Sequence, residues 1–142
     1  MRPDYANARN NLANSLRQTG RVEEAVHEYE AALRSEPEFI LAQNNLAWLL
    51  ATSSNASIRN GAKAVQLAKQ ADRLTGGNDP LILHTLAAAY AENRQFPEAV
   101  EAAQRALEIA DANGITSLAE SLRSKLALYQ AGSPYHETSA TQ

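Results

Sequence analysis

Six asparagines in the first third of the chain are spaced so that their amides would share one side of two predicted helices. A carboxamide can accept a hydrogen bond from a peptide N–H and donate one to a peptide C=O. Asparagine is also a mediocre helix former, so its concentration here favours a peptide-binding surface over ordinary polar surface, the alternative reading. The six residues are Asn7, Asn10, Asn11, Asn14, Asn44 and Asn45.

Three further side chains fall on the same predicted surface. Trp48 is the only tryptophan, and aromatic anchors dominate the binding energy of many interfaces. His84 and Thr85 hold, in a later copy of the pattern, the places of Asn44 and Asn45. The alternative for Trp48 is packing across the groove on the third unit of the pattern or under the loop inserted within residues 52–59. The alternative for His84 is ordinary polar surface.

Other kinds of site are not indicated by the residue types. The chain has no cysteine, which excludes disulfides, thiol chemistry and cysteine metal sites. Its three histidines, at 27, 84 and 136, lack the spacing of metal ligands. Neither a nucleophile–base motif nor a phosphate-binding loop appears. We therefore expect a protein that is not an enzyme, with no cofactor and no bound metal.

Composition narrows the class of partner. The 142 residues suit one domain, and hydrophobic residues make up 44%. No run approaches the roughly 20 apolar residues of a spanning helix, so we expect no membrane insertion. The net charge is −3, the isoelectric point is about 5.6, and basic residues do not cluster, which argues against nucleic acid. The start lacks a signal-peptide pattern. The absence of cysteine is compatible with a cytoplasmic location, which is the expected one.

The chain repeats itself. Asn10–Ala13 recurs as Asn44–Ala47, a shift of 34 residues, and again as His84–Ala87 after a further 40 residues. Abundant alanine favours helix over sheet, and each unit is predicted to form two helices. The predicted helices are 4–18, 22–35, 38–52, 60–74, 80–93, 96–110 and 115–131.

Small residues mark where the two helices of each unit would cross. Antiparallel helices approach closely only where the side chains between them are small, and a single pair cannot bury its apolar face without stacked neighbours. The predicted crossing alanines are Ala13, Ala47 and Ala87 on the first helices and Ala25, Ala64 and Ala99 on the second. Beside them we expect Leu12, Leu46 and Leu86 in the core.

At these residues the chain resembles the tetratricopeptide repeat family, which has a degenerate 34-residue pattern. The first copy supplies Leu12, Ala13, Leu16, Gly20, Ala25, Tyr29, Ala32 and Pro37. The resemblance implies an all-α, right-handed α-solenoid of three helix pairs plus a C-terminal capping helix. No copy has the family tryptophan, and the second unit is lengthened, mostly within residues 52–59.

The amino-acid sequence of the repeats is similar to that of bacterial multi-repeat proteins of this family and to that of the repeat arm of O-GlcNAc transferases. In that arm an asparagine ladder holds peptide backbones, and Asn11 and Asn45 fall on the matching positions. The resemblance implies a scaffold that binds a peptide or partner protein in an asparagine-lined concave groove. The alternatives are a structural or oligomerisation module, or a regulatory C-terminal part of a larger protein.

The domain boundaries follow from the repeats. A repeat domain is predicted over 1–132, with repeats at about 3–36, 37–78 and 79–111 and a capping helix at about 115–131. Residues 136–142 are small and polar, and a disordered tail is predicted over 133–142. The first helix lacks a preceding pair, so its uncapped apolar edge predicts possible self-association.

Overall fold

The computed structural model describes residues 3–138, with the side chains of Pro3 and Asp4 excepted. Within that part the chain forms seven α-helices and no strand. The helices are α1 (Pro3–Gln18), α2 (Val22–Ser35), α3 (Ile40–Thr52), α4 (Gly61–Leu74), α5 (Pro80–Glu92), α6 (Phe96–Ala112) and α7 (Thr116–Gln130). None of these described helices combines the length and the apolar character that crossing a lipid bilayer requires.

The helices pack as consecutive pairs. α1 packs on α2, α3 on α4 and α5 on α6, while α7 covers α6. Neighbouring pairs are joined where α2 meets α3 and where α5 meets both α3 and α4. The predicted all-α helical-repeat solenoid is therefore confirmed, with helix ends within two residues of those predicted.

Local signals explain why the helices begin and end where they do. The side chain of Asn60 accepts a hydrogen bond from the backbone N–H of Lys63 at 3.1 Å and caps α4, a position that asparagine favours. Asp79 caps α5 through the N–H of Leu81 at 3.0 Å, and Pro80 follows as its first residue. Gly20 takes a positive φ of 83° after α1, a conformation that glycine adopts without strain.

The crossing alanines form the centre of the core. All six are fully buried and belong to one apolar cluster that extends to α7. Leu46 and Leu86 lie in the same cluster. The prediction for Leu12 is wrong, because 43% of its surface is exposed. Among the described residues no helix covers that side of α1, so the position is apolar without being core.

The segment after α7 differs from the expected disordered tail. Residues 133–138 have no regular secondary structure, yet they make defined contacts with α3 and α5. The backbone N–H of Glu137 donates to the carbonyl of Thr52 at 2.7 Å, and His136 Nε2 lies 2.6 Å from Glu92 Oε1. Polar composition alone did not reveal these tertiary partners. Residues 139–142 lie outside the described part of the chain.

Candidate functional site

Side chains from α3, α5 and α7 meet around the single tryptophan. The rings of Trp48 and His84 lie 4.7 Å apart between centroids, tilted by 32°. From α7, Lys125 brings its Nζ to 5.8 Å from the Trp48 ring centroid. We call the residues Trp48, Thr52, His84, Glu92 and Lys125 the Trp48 site. Three helices from different parts of the array thus build one surface.

The Trp48 site is occupied by residues of the same chain. The Tyr135 ring centroid lies 6.0 Å from that of Trp48, and Lys125 Nζ lies 4.3 Å from the Tyr135 centroid. Both distances to Lys125 are within the range of cation–π attraction. The alternative prediction that Trp48 packs across to the third unit is also met, since its partner His84 belongs to α5.

Glu92, at the end of α5, is the acidic group of the Trp48 site. Its two carboxylate oxygens face different partners: His136 on one side and Arg59 Nε, at 3.3 Å, on the other. Arg59 belongs to the lengthened loop between α3 and α4, and its Nη1 also donates to the carbonyl of Ser53 at 2.7 Å. The inserted residues therefore hold Glu92 in place.

Lys125 and His84 are the basic groups of the Trp48 site, and burial lowers the pKa of both side chains. Lys125 is only 9% exposed, and burial lowers the pKa of its ammonium group. Its Nζ donates to Ser121 Oγ at 2.6 Å. Burial, followed by the charge of Lys125, lowers the pKa of His84 to about 4. The imidazole is consequently neutral near pH 7, and Lys125 supplies the cation.

Three of the predicted asparagines bind one another rather than facing outward. The amide of Asn45 on α3 donates to Asn10 Oδ1 at 3.2 Å and to Asn14 Oδ1 at 3.3 Å, both on α1. The hydroxyl of Tyr29 on α2 donates to the same Asn14 Oδ1 at 2.5 Å. This asparagine cluster joins α1, α2 and α3, which gives Asn10, Asn14 and Asn45 a role in packing.

The other predicted site residues differ in their exposure to solvent. Asn7 and Asn11 are exposed on α1, and Asn44 is half-buried, with a buried Oδ1 that has no hydrogen-bond partner among the described residues. The predicted exposure of two residues is wrong: Asn10 is 2% exposed, and Thr85 is 3% exposed. Helical spacing placed them correctly on the first helices of their units, but neighbouring helices cover that part of the face.

Two buried tyrosines offer a matched test of the asparagine cluster. Tyr29 and Tyr129 are both fully buried, but the Tyr129 hydroxyl has no partner among the described residues. Tyr29→Phe should lower the free energy of unfolding by about 1 kcal/mol, the usual net value of a hydrogen bond. Tyr129→Phe should leave it unchanged or raise it. Urea unfolding measures both, and equal losses would contradict the assignment.

The comparison with known families identifies the repeat. A family model described as tetratricopeptide repeat matches residues 6–39 and 80–113. Both segments are therefore similar to tetratricopeptide repeats. The matched segments are the first and third helix pairs, and the pair with the lengthened loop lies between them. No curated protein matches the chain.

Tetratricopeptide repeats generally mediate protein–protein interaction and are typically non-catalytic scaffolds. A protein-binding scaffold is therefore consistent with this chain. The matches concern the repeat itself, so the finer resemblance to the arm of O-GlcNAc transferases stays a prediction, as does the cytoplasmic location. Within residues 3–138 no group of three or more histidine or acidic side chains is placed to hold a metal ion.

Several residues that form or contact the Trp48 site were missed in the sequence analysis. Lys125 lies three residues after Leu122 and four before Tyr129, on the buried stripe of α7, and this spacing was a usable signal. Tyr135 is the one phenylalanine, tyrosine or tryptophan after α7, and this was a weaker signal. The contact of Arg59 with Glu92 had no local signal, because the two residues belong to different repeats.

Proposed function

We propose that the Trp48 site binds an extended segment of a partner protein, in a groove on the inner face of the tetratricopeptide array. One observation carries the proposal: a non-helical stretch of polypeptide, residues 133–138, already contacts this surface. Its contacts involve a ring, a hydrogen bond between an imidazole and a carboxylate, and a main-chain hydrogen bond. A surface that satisfies a backbone N–H as well as side chains suits a peptide ligand.

The chemistry of the site supports a peptide as the ligand. Trp48 offers a broad apolar face, and aromatic residues of this kind act as anchors at interfaces. Thr52 offers a backbone carbonyl, which accepts from the peptide main chain whatever its sequence. Glu92 and Lys125 supply one charge of each sign and thus some selectivity. We propose that the exposed amides of Asn7 and Asn11 extend the groove along α1.

A second candidate is self-association through α1. Leu12 is 43% exposed and Tyr5 is 38% exposed on the same helix. Exposed apolar surface of this kind is a usual feature of interfaces. The two candidates use different faces, so single substitutions separate them.

Trp48→Ala should weaken capture of the partner protein by about 30-fold, the effect expected for an aromatic anchor worth about 2 kcal/mol. Leu12→Ala is the matched control, because it also removes a large apolar side chain from a first helix, in this case an exposed one. Affinity capture from the source lysate, with bound proteins quantified for each variant, provides the measurement. Circular dichroism should show that both variants remain helical.

Two outcomes would overturn the proposal. Equal capture by the Trp48→Ala chain and the unaltered chain would exclude the Trp48 site. Loss of capture with Leu12→Ala alone would favour the α1 face instead. Asn45→Ala is unsuitable for this test, because it would break the asparagine cluster and the packing of α1 on α3.

A further inference from the structure

The residues after α7 form a bound segment with side-chain selectivity. Three successive residues each have a separate partner: Tyr135 contacts Trp48 and Lys125, His136 contacts Glu92, and the Glu137 backbone contacts Thr52. The partners come from α3, α5 and α7. A tail that merely rested on the surface would not need to match an aromatic face, an acid and a main-chain acceptor in order.

The contacts that hold the segment after α7 are individually weak, as reversible binding requires. Tyr135 is half-buried and His136 is exposed. Each contact belongs to a class of modest strength: an aromatic pair, a cation–π contact, an imidazole–carboxylate hydrogen bond and a main-chain hydrogen bond. Gly132, with a φ of 76°, joins the segment to the end of α7 in a conformation suited to glycine. The tail is therefore held by a few weak contacts, and Tyr135 is the part of it that packs against the core cluster.

We infer that residues 134–138 are an internal competitor, which closes the Trp48 site until an external segment with the same chemistry displaces them. This inference rests on the proposed function, since it assumes that the Trp48 site binds peptides. A tethered segment acts at an effective concentration of about millimolar. A partner must therefore either bind more tightly than the tail or be present in excess.

The contacts also define the external segment. Lys125 over the Tyr135 ring selects an aromatic residue, since a ring face attracts a cation. Glu92 beside His136 selects a basic or hydrogen-bond-donating residue immediately after it. The partner is thus an extended protein segment with an aromatic residue followed by a basic one. An acidic residue in the second place would meet Glu92 and be rejected.

The test uses the full chain and a synthetic peptide with the sequence of residues 132–138, Gly-Ser-Pro-Tyr-His-Glu-Thr. Three chains are compared: the unaltered protein, Tyr135→Ala, which frees the site, and Ser133→Ala, a control in the same segment. Since Trp48 is the only tryptophan, its fluorescence reports occupancy. Circular dichroism confirms that the three chains are equally helical.

We expect the Tyr135→Ala chain to bind the peptide about tenfold or more tightly than the other two chains, because its own tail no longer competes. A peptide with alanine for its tyrosine, or with glutamate for its histidine, should bind the freed chain at least about tenfold more weakly. Selective loss with both peptides supports the stated partner chemistry.

Two results would overturn the inference, and they differ in what they leave standing. Equal peptide affinity for the unaltered and Tyr135→Ala chains would mean that the tail does not compete, while the peptide-binding function would survive. No binding of the peptide to the freed chain would overturn the inference and the proposed function together.

Discussion

Gly61→Ala should lower the free energy of unfolding by about 1–3 kcal/mol, the usual cost of overpacking a closely packed site. Gly61 is the first residue of α4 and lies against the end of α5. A Cβ at this position would fall 2.7 Å from the backbone N of Asn93 and 2.9 Å from the carbonyl carbon of Glu92. Both are backbone atoms, which cannot rotate away, so α4 and α5 must separate.

The direction of the stability change in Gly61→Ala distinguishes overpacking from helix propensity. Helix propensity alone would make Gly→Ala stabilising by up to about 1 kcal/mol. Ala62→Gly, at the exposed next position of α4, is the control that measures propensity without the close contact. Urea unfolding of the three chains at neutral pH provides the values. A Gly61→Ala chain as stable as the unaltered one would contradict the close approach of α4 to α5.

Acidification should destabilise the fold through His84. The pKa of His84 is lowered from 6.5 to about 4 in the folded chain, so the unfolded chain binds more protons between these values. Stability is then fully present above pH 6.5 and falls as the pH drops towards 4. The loss should be about 2 kcal/mol at pH 5 and at most about 3 kcal/mol. Protonation would also place a second cation beside Lys125.

His84→Phe separates this contribution from other acid effects. The phenyl ring can still stack on Trp48 but cannot titrate. Urea unfolding at pH 7 and at pH 5 should show a smaller decline for His84→Phe by about 2 kcal/mol. An NMR titration of the His84 ring in the unaltered chain should give a midpoint near pH 4. A midpoint near 6.5, or equal declines in the two chains, would contradict the burial of the imidazole.

The sequence predicted the helices well because their signals are local. Proline and asparagine mark helix starts, and glycine marks ends, within a few residues of the boundary. The crossing alanines could also be predicted from the sequence, since only small residues allow two helices to approach closely. Repetition of both signals at a near-constant spacing reduced the ambiguity of each copy. The fold could therefore be derived without tertiary information.

The candidate site was predicted only in part, because exposure depends on which neighbour covers a residue. Asn10 and Leu12 show this on one helix: the amide is buried against Asn45, whereas the leucine is exposed. Helical spacing predicted the side of α1 on which each residue lies. It did not predict which neighbouring helix covers that side. Trp48 packs on His84 of the third unit, which is one of the alternatives that the sequence left open. Its contact with Tyr135 joins residues 87 positions apart, which no local pattern encodes.

The most direct test of the central claim is to locate a bound peptide on the protein. Nuclear Overhauser effects should be recorded between the Tyr135→Ala chain and the Gly-Ser-Pro-Tyr-His-Glu-Thr peptide. Binding of an extended segment at the Trp48 site predicts contacts between the peptide tyrosine ring and the Trp48 indole, with further contacts to Lys125. Contacts confined to α2, α4 and α6, or none to Trp48, would contradict the account.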